Sequence, residues 1–538
     1  MKRKLGWFGL GFAGAELAAA NLPPLVCVPA AAFLALLAFW NRRRDARTPL
    51  VGALCGLVWF ALFAIIFVQP CRALAGQTVT CTAVVETDAE ASYSDSRLRG
   101  TLRLTEINGK PARLRVQCSS FPGESAGERF EASFALSSLP DNRYRLSRSS
   151  KGVYLQAEYL GSYRGLAASK APRFALFRLR QRWSAVLRRW LPKRLDGMEA
   201  AMLLADKSHL EDAVQQAFRT AGVSHLLAVS GLHLALLCGL LGFGRRWRFY
   251  KPLILLRGAA ALFYLLLTGA PVSVLRAGLV LAVALAGDFF LQPVDLLTST
   301  GFAAVLMGLQ NAYAPCDIGF QLSFCAVLGV QAAAALTEAE QRAAQSRPAA
   351  LRTACRLAEP VQTAVLASLA TLPVLVAHGM SASLVGIVCN VLVVWMLQPA
   401  LQMGILLLIF SAVPFLLPLV NLTGLILSLW LKAMLEIVVR CAALPFASVY
   451  LPQRYTLFVL AVLGALALYY RHGKGMRAYP IAALICTAAA VAMGIWMQRD
   501  VVEINLVGAS NNPCVVCVQN GQAVVLFRGG ESNLSAVE

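Results

Sequence analysis

Apolar residues run unbroken for about a bilayer's width at a time over most of this chain, with short polar or basic breaks between the runs. The runs fall near 5–20, 22–40 and 49–69. They resume densely at 222–243, 252–270, 272–291, 294–311, 317–336, 358–379, 383–411, 416–440, 453–470 and 479–497, with Pro399 and Pro414 placed to break helices in that region. This pattern predicts a polytopic α-helical membrane protein of about thirteen spans.

Two segments have a different period. Residues 72–165 alternate apolar and polar positions in TVTCTAVVET (78–87), GTLRLTEI (100–107), ARLRVQCSSF (112–121), ERFEASFAL (128–136) and KGVYLQAEYL (151–160). Turn signals such as NGK and PGE separate them, which predicts about five short strands. A small β-barrel of the oligonucleotide-binding (OB) type is the leading expectation, with a generic β-sandwich beside it. Residues 500–538 read as two strands, VVEINLVGA and CVVCVQNGQAVVLF. Two strands are too few to fold alone, so this stretch reads as the start of a domain whose remainder is missing.

Between these segments, residues 172–195 predict a basic amphipathic helix. Phe174, Phe177, Trp183, Val186, Leu187 and Trp190 recur at helical spacing among seven arginines and one lysine. Such a helix suits the membrane interface, or serves as a guide for a polyanion. The predicted division is therefore 1–71 N-terminal spans, 72–165 β domain, 166–220 basic and linker helices, 221–498 transmembrane domain and 499–538 β fragment.

Composition agrees with a membrane protein: 58% of the 538 residues are hydrophobic and 14% charged. The net charge of +21 partly reflects positive-inside bias and also suits an anionic partner such as nucleic acid. Lys2, Arg3 and Lys4, the NRRRDAR cluster (41–47), the basic clusters at 245–251 and 471–477 and the polar loop 337–359 all fall on one side when spans are counted alternately. That side is the cytoplasm by the basic-residue rule, which leaves the β domain and the C-terminal strands outside. The first apolar run follows MKRK and leads straight into a second span, so it reads as an anchor rather than a cleaved signal. Of fourteen cysteines, Cys81 and Cys118 share the β segment, where a disulfide is possible. Cys514 and Cys517 form a CxxC without a second pair, so no metal or other cofactor is expected.

Polar groups inside spans are expensive and are functional candidates by default. HLLAVSGLH (225–233) places His225, Ser230, Gly231 and His233 in an apolar run. Ser230 and His233 share a helix face. A serine hydrolase would use such a pair, yet no carboxylate orienter or nucleophile elbow stands nearby. His225 and His233 are about 12 Å apart along a regular helix and share a ligand only if the helix breaks at Ser230-Gly231. A structural or pore-lining cluster is preferred to catalysis. Arg257, Arg276, Asp288, Asp317, Gln321, His378, Asn390 and Glu436 are the other polar residues in apolar context. Snorkelling or one buried hydrogen bond explains most of them. Arg276, and the i,i+4 pair Asp317 and Gln321, would line an aqueous path if a helix is broken there.

Taken together, LLADKSHL (203–210), GVSHLLAVSGLHLALL (222–237), LLTGAPVSVLRAGL (266–279) and CDIGFQLSFCAVLGV (316–330) resemble, in order, the motifs of the ComEC family of competence proteins. Asp206 and Lys207 stand at the family's G-D-[RK]-[SG] motif, with Ala205 replacing its glycine. The resemblance covers roughly residues 20–538 and is firmest over 196–410. It implies an outer OB-type domain and a channel that passes one DNA strand into the cytoplasm while the other is degraded. It also implies a DNA receptor, a cytoplasmic ATPase and other competence proteins as partners, with membrane lipids around the chain and a homo-oligomer possible.

Members often end in a metallo-β-lactamase-like domain opening with L-D-V-G-Q-G-D. Here NLVGASN (505–511) lacks both aspartates, and the five histidines (209, 225, 233, 378, 472) form no HxH pair. No nuclease activity is expected of this chain.

The function expected is a channel for single-stranded DNA. Its path includes Asp206, Lys207, His225, Ser230, Gly231, His233, Arg276, Asp317, Gln321 and Asn390. A polyanion moves only if phosphate contacts are few, so scattered arginines and neutral hydrogen-bonders suit the task. In the β domain, Tyr93, Arg97, Arg99, Arg103, Arg113, Arg115, Phe121, Arg143, Tyr144 and Arg145 would meet DNA first, unless they are ordinary solvated strand faces. An intramembrane serine hydrolase and a small-anion or lipid transporter remain as rivals.

Overall fold

The computed structural model describes residues 3–40, 44–86, 90–91, 98–121, 126–141, 144–169, 171–240, 249–344, 349–445, 447–450, 453, 459, 463, 502–507, 514–519 and 522–526. Tyr93, Arg97 and Arg143, the predicted span 479–497 and most of 453–470 lie outside the described residues.

The chain opens with α1 (Lys4–Asn21), α2 (Pro24–Trp40) and α3 (Arg44–Phe63). A π-helical turn, Ala64–Val68, carries α3 into the short α4 (Gln69–Arg72). Glycines set the packing here. A Cβ on Gly9 would collide with the backbone of Gly301, and one on Gly52 with that of Phe8. Small residues let helix backbones touch where lipid supplies no hydrophobic drive for association.

The β domain comprises β1 (Thr78–Val85), β2 (Glu90–Ala91), β3 (Leu98–Ile107), β4 (Lys110–Phe121), β5 (Arg129–Ser138), the short α5 (Arg145–Ser150) and β6 (Val153–Leu166). It is a mixed sheet of order β1-β5-β6-β4-β3-β2, and β1 also pairs with β3, so the hydrogen-bonded path returns to its first strand. All pairings are antiparallel except β4 with β6. Asn108 and Gly109 both have positive φ, as a two-residue turn between β3 and β4 demands. Alternation directs Leu102, Leu104, Val116, Phe121, Phe130 and Phe134 into the core. Cys81 and Cys118 are both buried in that core, and the possible disulfide between them is not formed. β3 pairs with both β1 and β4 and so stands between their strands.

Beyond the β domain lie α6 (Pro172–Trp190), α7 (Leu195–Leu204), α8 (Asp212–Thr220), α9 (Ser224–Leu227) and α10 (Gly231–Leu240). They are followed by α11 (Lys251–Leu267), α12 (Val272–Phe290), α13 (Leu296–Gln310), α14 (Ile318–Ala344), α15 (Ala349–Ala377), α16 (Gly386–Ser411) and α17 (Leu417–Ala442). Six helices among the described residues are long and apolar enough to cross a membrane, and Leu296–Gln310 is a shorter apolar helix. Pro399 is accommodated inside α16, while Pro414 begins the 3-10 turn that separates α16 from α17.

The apolar stripe of α6 is covered by protein rather than left to lipid. Phe174 packs with Val84 and Ala126, Trp183 meets Phe263 of α11, and Leu187 enters the main helical core. The helix therefore braces the β domain against the bundle.

Both ends of α13 are tied down. At its start Asp295 pairs with Arg3 at 3.1 Å. Just past its end, Asn311 donates to the carbonyls of Ser149 and Ser150 at 2.9 and 2.8 Å and accepts from the Tyr154 hydroxyl at 3.3 Å. Arg3 and the β domain thus lie at opposite ends of one helix.

Near the C-terminus, β9 (Glu503–Val507), β10 (Cys514–Gln519) and β11 (Gln522–Leu526) form a sheet of order β11-β10-β9. The second expected strand is two strands, because Asn520-Gly521 is a hairpin signal in its middle. Ser381–Ser383 (β7) and Ser448–Tyr450 (β8) make a small antiparallel pair.

Candidate functional site

The HLLAVSGLH segment is a broken helix. α9 stops at Leu227, Ala228 turns extended, and α10 begins at Gly231. Ser230 occupies the N-cap position of α10 and His233 its third residue. The Ser230 backbone N–H donates to Nδ1 of His233 at 3.1 Å, and the Ser230 hydroxyl lies 3.0 Å from the same nitrogen. This is one half of a capping box, with an imidazole standing where a glutamate usually does. An N–H can only donate, so Nδ1 is the acceptor and the ring proton sits on Nε2. His233 is fully buried, and its Nε2 has no hydrogen-bond partner among the described residues.

α12 holds the break from the side. The Ser273 hydroxyl donates to the Val229 carbonyl at 3.3 Å. A Cβ added to Gly231 would come within 2.9 Å of Ala277 Cβ and 3.6 Å of the Arg276 guanidinium. Gly231 is thus what lets α10 and α12 meet. Arg276 is buried, and its guanidinium lies 5.7 Å from the centre of the Phe324 ring on α14. One arginine therefore touches both the broken helix and α14.

The α14 stretch makes its own cluster. Asp317 caps α14 by accepting the Phe320 N–H at 3.0 Å. Gln321 donates to the Pro315 carbonyl at 2.9 Å, and its Oε1 lies 2.9 Å from Nε2 of His378 at the end of α15. Asn390 is half-buried on α16, and no hydrogen bond among the described residues joins it to either cluster. His225, on the short α9, is exposed. Among the described residues no three His, Cys, Asp or Glu side chains gather to hold a metal.

Asp206 lies in the turn after α7. Its carboxylate accepts from the Ser208 N–H at 3.1 Å and the Ser208 hydroxyl at 2.6 Å. Burial alone would raise this carboxyl, but hydrogen bonds, chiefly from Ser208, and the nearby Arg180 outweigh it and hold it below its ordinary value. Ala205 takes a φ of +57°, the left-handed conformation a glycine enters freely. The departure from the family motif leaves the turn's shape intact at the cost of strain. Lys207 is exposed.

On the β domain, Arg103 and Arg115 are directly opposed across β3 and β4 and both pair with Glu86, which Arg173 of α6 also reaches. These arginines brace the domain. Burial lowers Arg103 from its ordinary value, and Glu86 opposes that shift. Arg113 is exposed, as is Tyr144, while Phe121 belongs to the core and Arg145 pairs with Asp141. Arg99 falls on β3.

Sequence reasoning passed over Glu16 and Glu199. Both are fully buried carboxyl groups without hydrogen-bond partners among the described residues, set against Gly308 and Gly404 respectively. A lone glutamate within each apolar run, AGAELAAA and LDGMEAAMLL, was the available signal.

A family model described as "Competence protein" matches residues 202–474, just over half of the chain and the region holding the Asp206 turn, the broken helix, Arg276 and the α14 cluster. "ComE operon protein 3" of Bacillus subtilis (strain 168) is 32% identical over 233 residues, a match covering 41% of this chain and 28% of that protein's length. No solved structure gives a significant match. With its four motifs in order along the chain and this match across just over half of it, the chain belongs to the ComEC family of competence proteins.

Proposed function

We propose that this chain is a channel that carries single-stranded DNA across the cytoplasmic membrane during natural transformation. The observation that carries the reading is the break at Ala228–Ser230, flanked by His225, held by Ser273 and approached by Arg276. Irregular backbone at membrane depth is tolerated where it is buried in protein or lines a wet cavity. The N-terminal end of α10 and the Arg276 guanidinium supply positive potential there without a continuous lysine track, as a moving polyanion needs. The closed ring of strands supports an OB-type β domain on the outer face, with the N-terminus cytoplasmic. Partners in this reading are single-stranded DNA and other competence proteins.

The reading assigns no hydrolytic step to Ser230. His233 Nδ1 already accepts that residue's own N–H, and no carboxylate among the described residues orients Nε2.

The test is uptake of labelled DNA into the cytoplasm of a transformable host lacking its own channel gene. The chain, fused to an intact nuclease domain, should restore uptake, and His225→Ala/His233→Ala at equal expression should not. An inserted, well-expressed wild-type fusion that restores nothing would overturn the channel reading.

A further inference from the structure

Where the β domain meets the outer end of α3, a cavity of about 350 Å³ opens between the strands and the helices. Its walls are sorted by chemistry. On one side stand Trp59, Phe63, Phe67 and Cys71, each four residues after the last, so they form a single helical face about 18 Å long. Leu309 of α13 closes that side. On the other side stand Arg103, Arg113 and Arg115 of β3 and β4. Glu86 offsets one of those charges. Arg113 is exposed and makes no ion pair among the described residues.

The apolar wall runs down toward the membrane and the cationic wall sits above it. Phe67 and Leu309 are exposed, and so are Ile65 and Ile66 on the same π-helical turn, which belongs to a stretch, Arg47–Arg72, long and apolar enough to cross a membrane. Tyr154 of β6 stands beside the arginines, as the amphipathic aromatics of a headgroup layer do. A nucleic-acid strand would ask for arginines interleaved with stacking rings along one groove. Segregation of charge above and apolar surface below instead matches an amphiphile with an anionic head.

We infer that this cavity binds the head group of an anionic phospholipid, its phosphate on Arg113 and the adjoining edge of Arg115 and its acyl chains along the Phe63, Phe67 and Leu309 wall. The lipid would fill the seam between the β domain and the spans and hold the domain at a set height over the bilayer.

The test uses the full chain purified in detergent and native mass spectrometry of its lipid adducts. Phosphatidylglycerol should be retained in preference to phosphatidylcholine, and Arg113→Glu should reduce that preference by at least about five-fold. Lys110→Glu, an equal charge change on the same strand but outside the cavity, should leave it unchanged. If Arg113→Glu fails to fold, Arg113→Gln serves in its place. Undiminished preference in the Arg113 variant, or equal loss in the Lys110 variant, overturns the proposal. So would an oligothymidylate whose binding needs Arg113 while lipid retention does not.

Discussion

Nδ1 of His233 accepts the backbone N–H of Ser230, three residues earlier, at 3.1 Å. The histidine is therefore the partner that starts α10 after the break, and it should matter more than the serine hydroxyl. His233→Ala is expected to destabilise the protein by about 1–2 kcal/mol, and Ser230→Ala by about half that, because the N–H keeps its acceptor. His233→Gln should recover part of the loss. Thermal unfolding of the three variants in one detergent checks the order, and a Ser230→Ala loss exceeding that of His233→Ala would refute the capping role.

Gly231 separates α10 from Ala277 by less than a methyl group requires. Gly231→Ala should cost about 1–3 kcal/mol through overpacking. Adding Ala277→Gly should return part of it, giving a coupling of about 0.5 kcal/mol or more in a double-mutant cycle. Strictly additive effects would mean that the two helices do not meet here.

Ala205 holds a φ of +57° in the turn before Asp206. Ala205→Gly should raise stability by about 0.5–1 kcal/mol, since relief of the left-handed strain exceeds the added freedom of the unfolded chain. The readout is a higher Tm with unchanged DNA uptake. A lower Tm would show that the turn is relaxed in solution.

The Asp206 carboxyl is held below its ordinary value in the folded protein, chiefly by Ser208 against the opposing effect of burial. Such a group stabilises the fold above its unfolded pKa, and that contribution is lost as pH falls through the lowered folded value. Asp206→Asn should therefore lower Tm at neutral pH, and the gap to wild type should close below about pH 4. A gap that persists into acid would assign the effect to shape rather than charge.

Glu86 gathers Arg103, Arg115 and Arg173. Glu86→Gln leaves three guanidinium groups crowded without their counter-charge. A loss on the order of 2 kcal/mol is expected, moderated because the arginines are partly exposed. Protease should then cut between residues 166 and 172 sooner than in wild type. Unchanged cleavage would show that α6 holds the β domain by apolar contact alone.

Much of this architecture was legible because period and turn chemistry agreed. Alternation located all five main strands to within a few residues, and Asn108-Gly109 marked the β3–β4 turn. Of the residues the family motifs single out, Ser230, Gly231, His233 and Arg276 meet near the break, while Asp206, Asp317 and Gln321 make clusters of their own. What they did there was less legible. Ser230 and His233 read as a face-sharing pair, but their role depends on a backbone break at Ala228 that no local periodicity announces. The α6 stripe read as lipid-facing because an apolar face looks the same whether protein or membrane covers it. The cysteines shared a segment, yet pairing depends on strand order, which is a long-range property. Glu86 drew no notice because its partners come from β3, β4 and α6.

The parallel β4–β6 pair has a consequence for biogenesis. The ring of strands cannot close until its last strand has been synthesised. Until then β4 and β5 each present an unsatisfied edge, open to mispairing with another chain. Seating comes later still, since Asn311 reaches back 162 residues to the Ser149 carbonyl. A nascent chain therefore carries a loosely tethered, partly open sheet while several further helices are inserted. In this interval a chaperone would have most to protect, and slowed synthesis after residue 166 would improve the yield of folded protein.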